Sequence, residues 1–224
     1  MADQIEVVDL GMVNAYLLEA GDGFVLVDTG LPTKWDPLVS HLQASGALPD
    51  RLKLVVITHG DLDHTGGAAR LQKEYNARVA IHPADADQVE KGAMLEREMT
   101  NPVFKVIMKL RQLRMRGSMP AYPTFTPDVL LSDGESLEPY GVDATILHLP
   151  GHTPGSIALL FPNGDIIAGD TVSNMIRPGT SPFVHDRQAM AASLDKLKSL
   201  DLKTIFPGHG KPFSADKLEK IKLK

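Results

Sequence analysis

The run Thr58-His59-Gly60-Asp61-Leu62-Asp63-His64-Thr65-Gly66-Gly67 constrains this chain more than any other stretch. It follows the apolar segment 52–57, which reads as a buried strand, and precedes Ala68, Ala69 and Leu71 at helical spacing. Two imidazoles and two carboxylates therefore sit on a loop that leaves a strand and enters a helix. Such a loop can aim several side chains at one point, as a regular helix or strand cannot. A first-row divalent ion needs that convergence of N and O donors. The bland alternative is a polar surface turn that happens to hold two histidines, and it gives no reason for matching donors elsewhere.

Matching donors recur. Pro150-Gly151-His152-Thr153-Pro154-Gly155 puts a histidine on a tight turn after a strand-like run. Ala168-Gly169-Asp170-Thr171 puts a carboxylate at a strand end, and Pro207-Gly208-His209-Gly210 another histidine after a strand. Glycine beside each donor would let the backbone pass close to an ion without a Cβ in the way. One His-Gly pair means little; four such loops form a pattern. The chain has no cysteine, so disulfides and thiolate metal sites are excluded and any ligands are His and carboxylate.

The rest of the composition is that of a globular protein able to bury a sizeable core: 224 residues, 43% hydrophobic and 23% charged. A net charge of −5 gives no reason to expect nucleic-acid binding. The N-terminus lacks a basic segment followed by an apolar one, and no apolar run approaches the roughly 20 residues that span a bilayer. The expectation is a cytoplasmic protein with a small-molecule substrate, anionic or apolar, as monomer or homodimer.

Strand-like runs cover 5–10, 14–19, 24–28, 54–57 and 78–81, with Gly21-Asp22-Gly23 as a hairpin turn and a helix over 35–45. A helix over 83–91 stops near Gly92. Asn101-Pro102 starts another that runs to about Arg116, with Gly117 just past its end. Strands follow at 129–131, 144–149, 157–161 and 165–168, the last two joined by Asn163-Gly164; then Asp186 caps a helix to about Leu200, before a strand at 204–206. This alternation is α/β, and no linker divides residues 1–224, so one domain is expected. Within it, 84–127 reads as a helical insert. From Gln88 to Met119 it carries seven Lys/Arg against three Glu, and five of the nine methionines. It is either an amphipathic helix packed on the body with a solvated basic face, or a lid whose Met-rich surface lines a pocket and whose cations attract an anion.

The motif His59-x-Asp61-x-Asp63-His64, followed in order by His152, Asp170 and His209, resembles the metallo-β-lactamase superfamily, over a span from Val27-Asp28-Thr29-Gly30 to Gly208-His209-Gly210. The resemblance implies a four-layer αββα sandwich with a dinuclear metal site at one edge. It implies that His59, Asp61 and His152 hold a first ion and Asp63, His64 and His209 a second. Asp170 would bridge them together with a hydroxide, and Asp28 would accept a hydrogen bond from a ligand imidazole. Two ions about 3.5–4 Å apart would bring the pKa of that water towards roughly 7, with Asp63 steering it and relaying its proton. A hydrolase of an ester, lactone, thioester or phosphoester is the leading expectation, with zinc as the family's usual metal.

The family more often has histidine where this chain has Asp61. Two divalent ions and a hydroxide are neutralised by Asp61, Asp63 and Asp170, whereas histidine would leave one net positive charge. The expected consequence is a weaker Lewis acid and a preference moved towards Mn²⁺ or Fe²⁺. The acidic residue also resembles the di-iron flavodiiron branch, which makes O₂ or NO reduction a rival; a non-catalytic metal-binding scaffold is a third reading. Of the other histidines, His148 is expected in the core, His82 to hydrogen-bond at a strand end, and His41 to be exposed on a helix. His185, in the Pro- and Gly-rich stretch 174–186, is a candidate substrate contact.

Overall fold

Strands that read as unbroken apolar runs must be covered on both faces. The computed structural model, which describes residues 5–99 and 121–223, shows how. One sheet runs in the order β1 (Glu6–Asp9), β2 (Asn14–Ala20), β3 (Gly23–Val27), β4 (Leu52–Val56), β5 (Arg78–Ile81), β7 (Val129–Leu130). A second runs β15 (Phe213–Ser214), β14 (Thr204–Pro207), β10 (Ile166–Gly169), β9 (Ile157–Leu160), β8 (Thr145–His148).

Side-chain alternation then fixes the layers. Phe24, Leu26 and Val55 point away from the second sheet and meet Leu38 and Leu42 of α1 (Trp35–Ala44) and Leu71 and Tyr75 of α3 (Ala68–Tyr75). Between those helices, the single turn α2 (Leu62–Thr65) carries Asp63 and His64. Val25, Val27, Leu54 and Val56 point the other way, onto Ile146, Ile157, Leu159 and Ile167. The far face of the second sheet, with Leu147, Ala158, Ile166 and Ile205, is closed by Leu194 and Leu197 of α5 (Arg187–Lys198). Each fully buried Leu, Ile or Val contributes about 1.5–3 kcal/mol, so the layer between the sheets is a main source of stability. The result is helix, sheet, sheet, helix: the expected αββα sandwich.

Strand direction places the loops of interest. β3, β4 and β5 are parallel, so Asp28, Thr58 and His82 leave the first sheet at one edge. In the second sheet β10 is parallel to β14, and β8, antiparallel to β9, points the same way as β10. Its three outgoing turns therefore carry His152, Asp170 and His209 at one edge too.

Local chemistry sets most boundaries where the sequence places them. α4 (Pro83–Lys91) starts with Pro at its first turn and stops at Gly92, which is left-handed at φ 64°. Asp186 accepts from the backbone N–H groups of Gln188 and Ala189 and so caps α5. Two short ribbons had no sequence signal: β6 (Glu98–Met99) with β13 (Phe183–Val184), and β11 (Val172–Ser173) with β12 (Gly179–Thr180). Two-residue strands are too short for alternation to be read. The helix expected at 101–116 lies outside the described residues. Among the described residues no helix is long and apolar enough to cross a membrane.

His148 is half-buried rather than in the core, because its ring stacks on His82 at the open edge, centroids 4.0 Å apart. His82 caps α4 through Nδ1, which accepts from Ala84 N. Burial, and then the neighbouring His148, lower the His82 pKa below 6.5. As pH falls, the unfolded chain therefore takes up this proton before the folded chain does. The associated stability is complete above about pH 6.5 and is lost as pH falls through the folded value. His82→Asn, which retains a capping oxygen, is expected to lose less stability between pH 7.5 and 5.5 than the native chain in urea unfolding. Equal losses would remove this pair as the cause.

Candidate metal centre

Asp28 is where the centre begins. It lies just past β3 in the left-handed region, φ 61°, a conformation that Asp tolerates better than most residues. Its fully buried carboxylate accepts from Thr58 N (2.8 Å), Thr58 Oγ1 (2.8 Å) and His64 Nδ1 (2.7 Å). The Thr58 hydroxyl has one hydrogen and gives it to Asp28, so it accepts from His59 Nδ1 at 2.9 Å. His152 Nδ1 donates to the Phe183 carbonyl (2.8 Å) and His209 Nδ1 to the Met12 carbonyl (2.6 Å). In all four imidazoles the outer nitrogen is held by an acceptor and Nε2 is turned inward. Carboxylates or carbonyls behind ligand imidazoles serve metal sites in just this way.

The inward atoms converge. His152 Nε2 is 3.1 Å and His59 Nε2 3.4 Å from Asp61 Oδ2. His209 Nε2 lies 3.5 Å from Asp63 Oδ2 and 3.3 Å from Asp170 Oδ2, while Asp170 is 3.6 Å from both His64 and His152. Two donors about 2.1 Å from one tetrahedral ion stand roughly 3.4 Å apart, so these spacings suit the edges of a coordination shell. Among the described residues, three groups have all their donor atoms within 4.8 Å of one another: His59, Asp61, His152; His59, His64, Asp170; and Asp63, His64, His209. His59 Nε2, His64 Nε2 and Asp170 Oδ1 are buried with no hydrogen-bond partner among the described residues. Orphaned buried polar atoms cost about 1–3 kcal/mol each unless something meets them, and here a cation fits.

The buried charges of the centre hold one another. Burial opposes ionisation of Asp61 and Asp170, yet the surrounding imidazoles hold both carboxyls well below the usual carboxylate range. Burial likewise opposes charge on His64 and His209, but Asp28 and Asp170 respectively raise them to about 10 and about 9. A cation must displace those two protons. His59, deeply buried beside His64, is pushed down and stays neutral.

Residues 8–209 match the family model described as the metallo-beta-lactamase superfamily. The chain belongs to that superfamily. It is 27% identical to the human acyl-coenzyme A thioesterase MBLAC2, over 93% of this chain and 76% of that protein. It is 24% identical to the probable metallo-hydrolase YflN of Bacillus subtilis, over 91% and 82%. Among solved structures it is similar to the metallo-beta-lactamase family protein TTHA1429 of Thermus thermophilus (TM-score 0.71, 24% identity, 96% and 77% of the two chains). It is also similar to the subclass B3 metallo-beta-lactamase BJP-1 of Bradyrhizobium japonicum (TM-score 0.69, 21% identity, 93% and 75%).

Within this metallo-beta-lactamase fold, all seven expected donors and Asp28 come together at one edge. His185 does not join them: it is exposed, with Nδ1 3.4 Å from the carbonyl of Glu96, two residues before β6. The glycines act differently from the sequence reading. A Cβ on Gly208 would indeed collide with Asp170 Oδ1 and come within 2.8 Å of His64 Cε1. At Gly60 and Gly155, however, it would strike Gln88 and Asp85 rather than a donor.

Asp85 is one of two residues that sequence reasoning missed. Fully buried on α4, it accepts from Gly60 N (2.9 Å), Thr153 Oγ1 (2.7 Å) and Gly155 N (2.7 Å), tying the His59 loop to the His152 loop. The other is Arg97. Its guanidinium forks onto Asp61, Nη1 to Oδ2 at 2.5 Å and Nη2 to Oδ1 at 2.6 Å, and Nη1 also lies 2.8 Å from His152 Nε2. It appeared in the sequence only as one of seven basic residues in a stretch read as a solvated face or a lid.

Proposed function

We propose that this chain is a metal-dependent hydrolase whose substrate is an acyl thioester. The observation that carries the reading is the set of four inward-facing imidazole nitrogens meeting Asp61, Asp63 and Asp170; among the described residues, His59 Nε2, His64 Nε2 and Asp170 Oδ1 of this set have no hydrogen-bond partner. Asp63, His64 and His209 would hold one divalent ion; His59, Asp61 and His152 offer a second position, with Asp170 between the two. Divalent ions would supply there a Lewis acid that polarises an acyl oxygen and lowers the pKa of water towards roughly 7. Zinc is the family's metal; the carboxylate of Asp61 moves the preference of its position towards Mn²⁺ or Fe²⁺.

The chain's own residues divide the remaining work. Asp28 and Thr58 fix the rings of His64 and His59, so neither needs to reorganise when charge develops. Asp63, with its side chain 34% exposed, is the most open of the donors in these ion pairs and is the group placed to pass a proton to solvent. Asn14 clamps the His209 loop by donating to the carbonyls of Pro207 and Gly210.

Thioester is preferred over the other acyl and phosphoryl substrates for two reasons. The relative named an acyl-coenzyme A thioesterase spans most of this chain. An apolar rim also flanks His209: Met12 is 47% exposed, and the turn between β11 and β12 carries Met175 at 45% and Ile176 at 99%. Asn174, which opens that turn, donates through its N–H to the His209 carbonyl, so the turn is fastened to the site. An acyl chain is the kind of ligand that would cover such residues.

The test is metal-free protein reconstituted separately with Zn²⁺, Mn²⁺ and Fe²⁺, then assayed against acyl-coenzyme A thioesters of several chain lengths, a lactone, an aryl ester and an aryl phosphodiester. Thioester turnover that rises with acyl length is expected. No turnover of any substrate with any metal would leave the scaffold reading; oxygen consumption by the iron form alone would favour redox chemistry.

A further inference from the structure

We infer that Arg97 occupies the cation position between Asp61 and His152, so that the resting centre takes one divalent ion and a guanidinium rather than two ions. The inference goes beyond the proposed hydrolase by assigning the second positive charge to a side chain.

Lone pairs decide which cation the position takes. Imidazole Nε2 has a single lone pair, and His152 Nδ1 already bears its hydrogen towards the Phe183 carbonyl. Arginine has only N–H donors, so the 2.8 Å contact from Nη1 engages the Nε2 lone pair that a metal would need. Asp61 is taken at both oxygens by the same fork. His152 Nε2 and Asp61 Oδ2 lie 3.1 Å apart, and Nη1 sits against both, bridging them as an ion would. His59, the third member of the group, is left with a hydrogen-bond-free Nε2 among the described residues and can share an ion only with His64 and Asp170, which already face the other position.

Charge agrees. One divalent ion with the guanidinium neutralises Asp61, Asp63 and Asp170, the same balance that two ions reach only with a hydroxide. Delivery is built into the fold as well. Arg97 immediately precedes β6, whose partner strand β13 contains Phe183; that residue's carbonyl fixes His152 and its ring lies 5.9 Å from the guanidinium. The Arg97 side chain is 7% exposed, and the geometry is a bidentate carboxylate fork, the strongest that arginine makes. Asp61 in place of the family's histidine is then explained: an imidazole could not hold a guanidinium in a fork.

The experiment is a Zn²⁺ titration of metal-free protein by calorimetry, with retained zinc counted after desalting; zinc binds N and O sites more tightly than Mn²⁺ or Fe²⁺, so it tests capacity most stringently. Native protein is expected to retain about one equivalent, with a second at least roughly tenfold weaker, and Arg97→Met to retain about two. Arg97→Lys preserves the charge without the fork and should fall between them; it serves if the Met variant fails to fold by circular dichroism. Two equivalents of equal affinity in the native protein, or one in every variant, would overturn the inference while leaving a metal-dependent enzyme. No retained zinc in any form would overturn the metal centre itself.

Discussion

Asp170→Ala is expected to abolish turnover, by roughly a thousandfold or more, while the sandwich stays folded. Asp170 sits between the groups, with one oxygen facing His64 and the other facing His152 and His209. Removing it subtracts the one carboxylate that, among the described residues, faces both halves of the centre, and takes from His64 and His209 one of their counter-charges. The fold should survive because the side chain packs against donors, not against the apolar layers. Circular dichroism and a urea melt check the second half of the statement, and thioester hydrolysis the first. Retained turnover would place the chemistry elsewhere in the molecule.

Asp85→Ala is expected to lower stability by roughly 3–5 kcal/mol and to weaken zinc retention without touching a donor. Its carboxylate meets two backbone N–H groups and one hydroxyl, all deep in the protein, and alanine would leave both amides without an acceptor. Because Gly60 lies between His59 and Asp61, and Gly155 closes the His152 turn, slack there would spread into the donor geometry. Urea unfolding of metal-free protein measures the stability term; zinc counting measures the consequence. A loss below about 1 kcal/mol, within the range of ordinary surface substitutions and single neutral hydrogen bonds, would mean that water replaces the carboxylate.

The seven donors were legible because each sits on a short strand-end loop whose residue types are unusual in company. His59, Asp61, Asp63 and His64 are neighbours in sequence, and His152, Asp170 and His209 repeat one local grammar. The sandwich was legible for a similar reason: β3 and β4 carry apolar residues on both faces, as only strands covered twice need to. Arg97 and Asp85 were not, because their roles come from tertiary distance. Arg97 lies 36 residues from Asp61 and 55 from His152, in a stretch whose charge looked solvated. Asp85 reads as an ordinary first-turn acid of α4 until the His152 loop is folded against it. The two-residue strands β6 and β13, which bring Arg97 to the centre, carry no periodicity at all.

The donors are shared across the molecule's midline: four belong to the loop after β4, three to turns leaving the opposite sheet. Asp85 and the clasp of Asn14 and Tyr16 on Pro207 straddle the same seam. An ion bound there acts as a rivet between the two halves. At a hundredfold excess over its dissociation constant it would add about 2.7 kcal/mol to the whole fold. Chelation should therefore loosen the edge of the sandwich first, so that heat resistance and metal supply become one property of this chain.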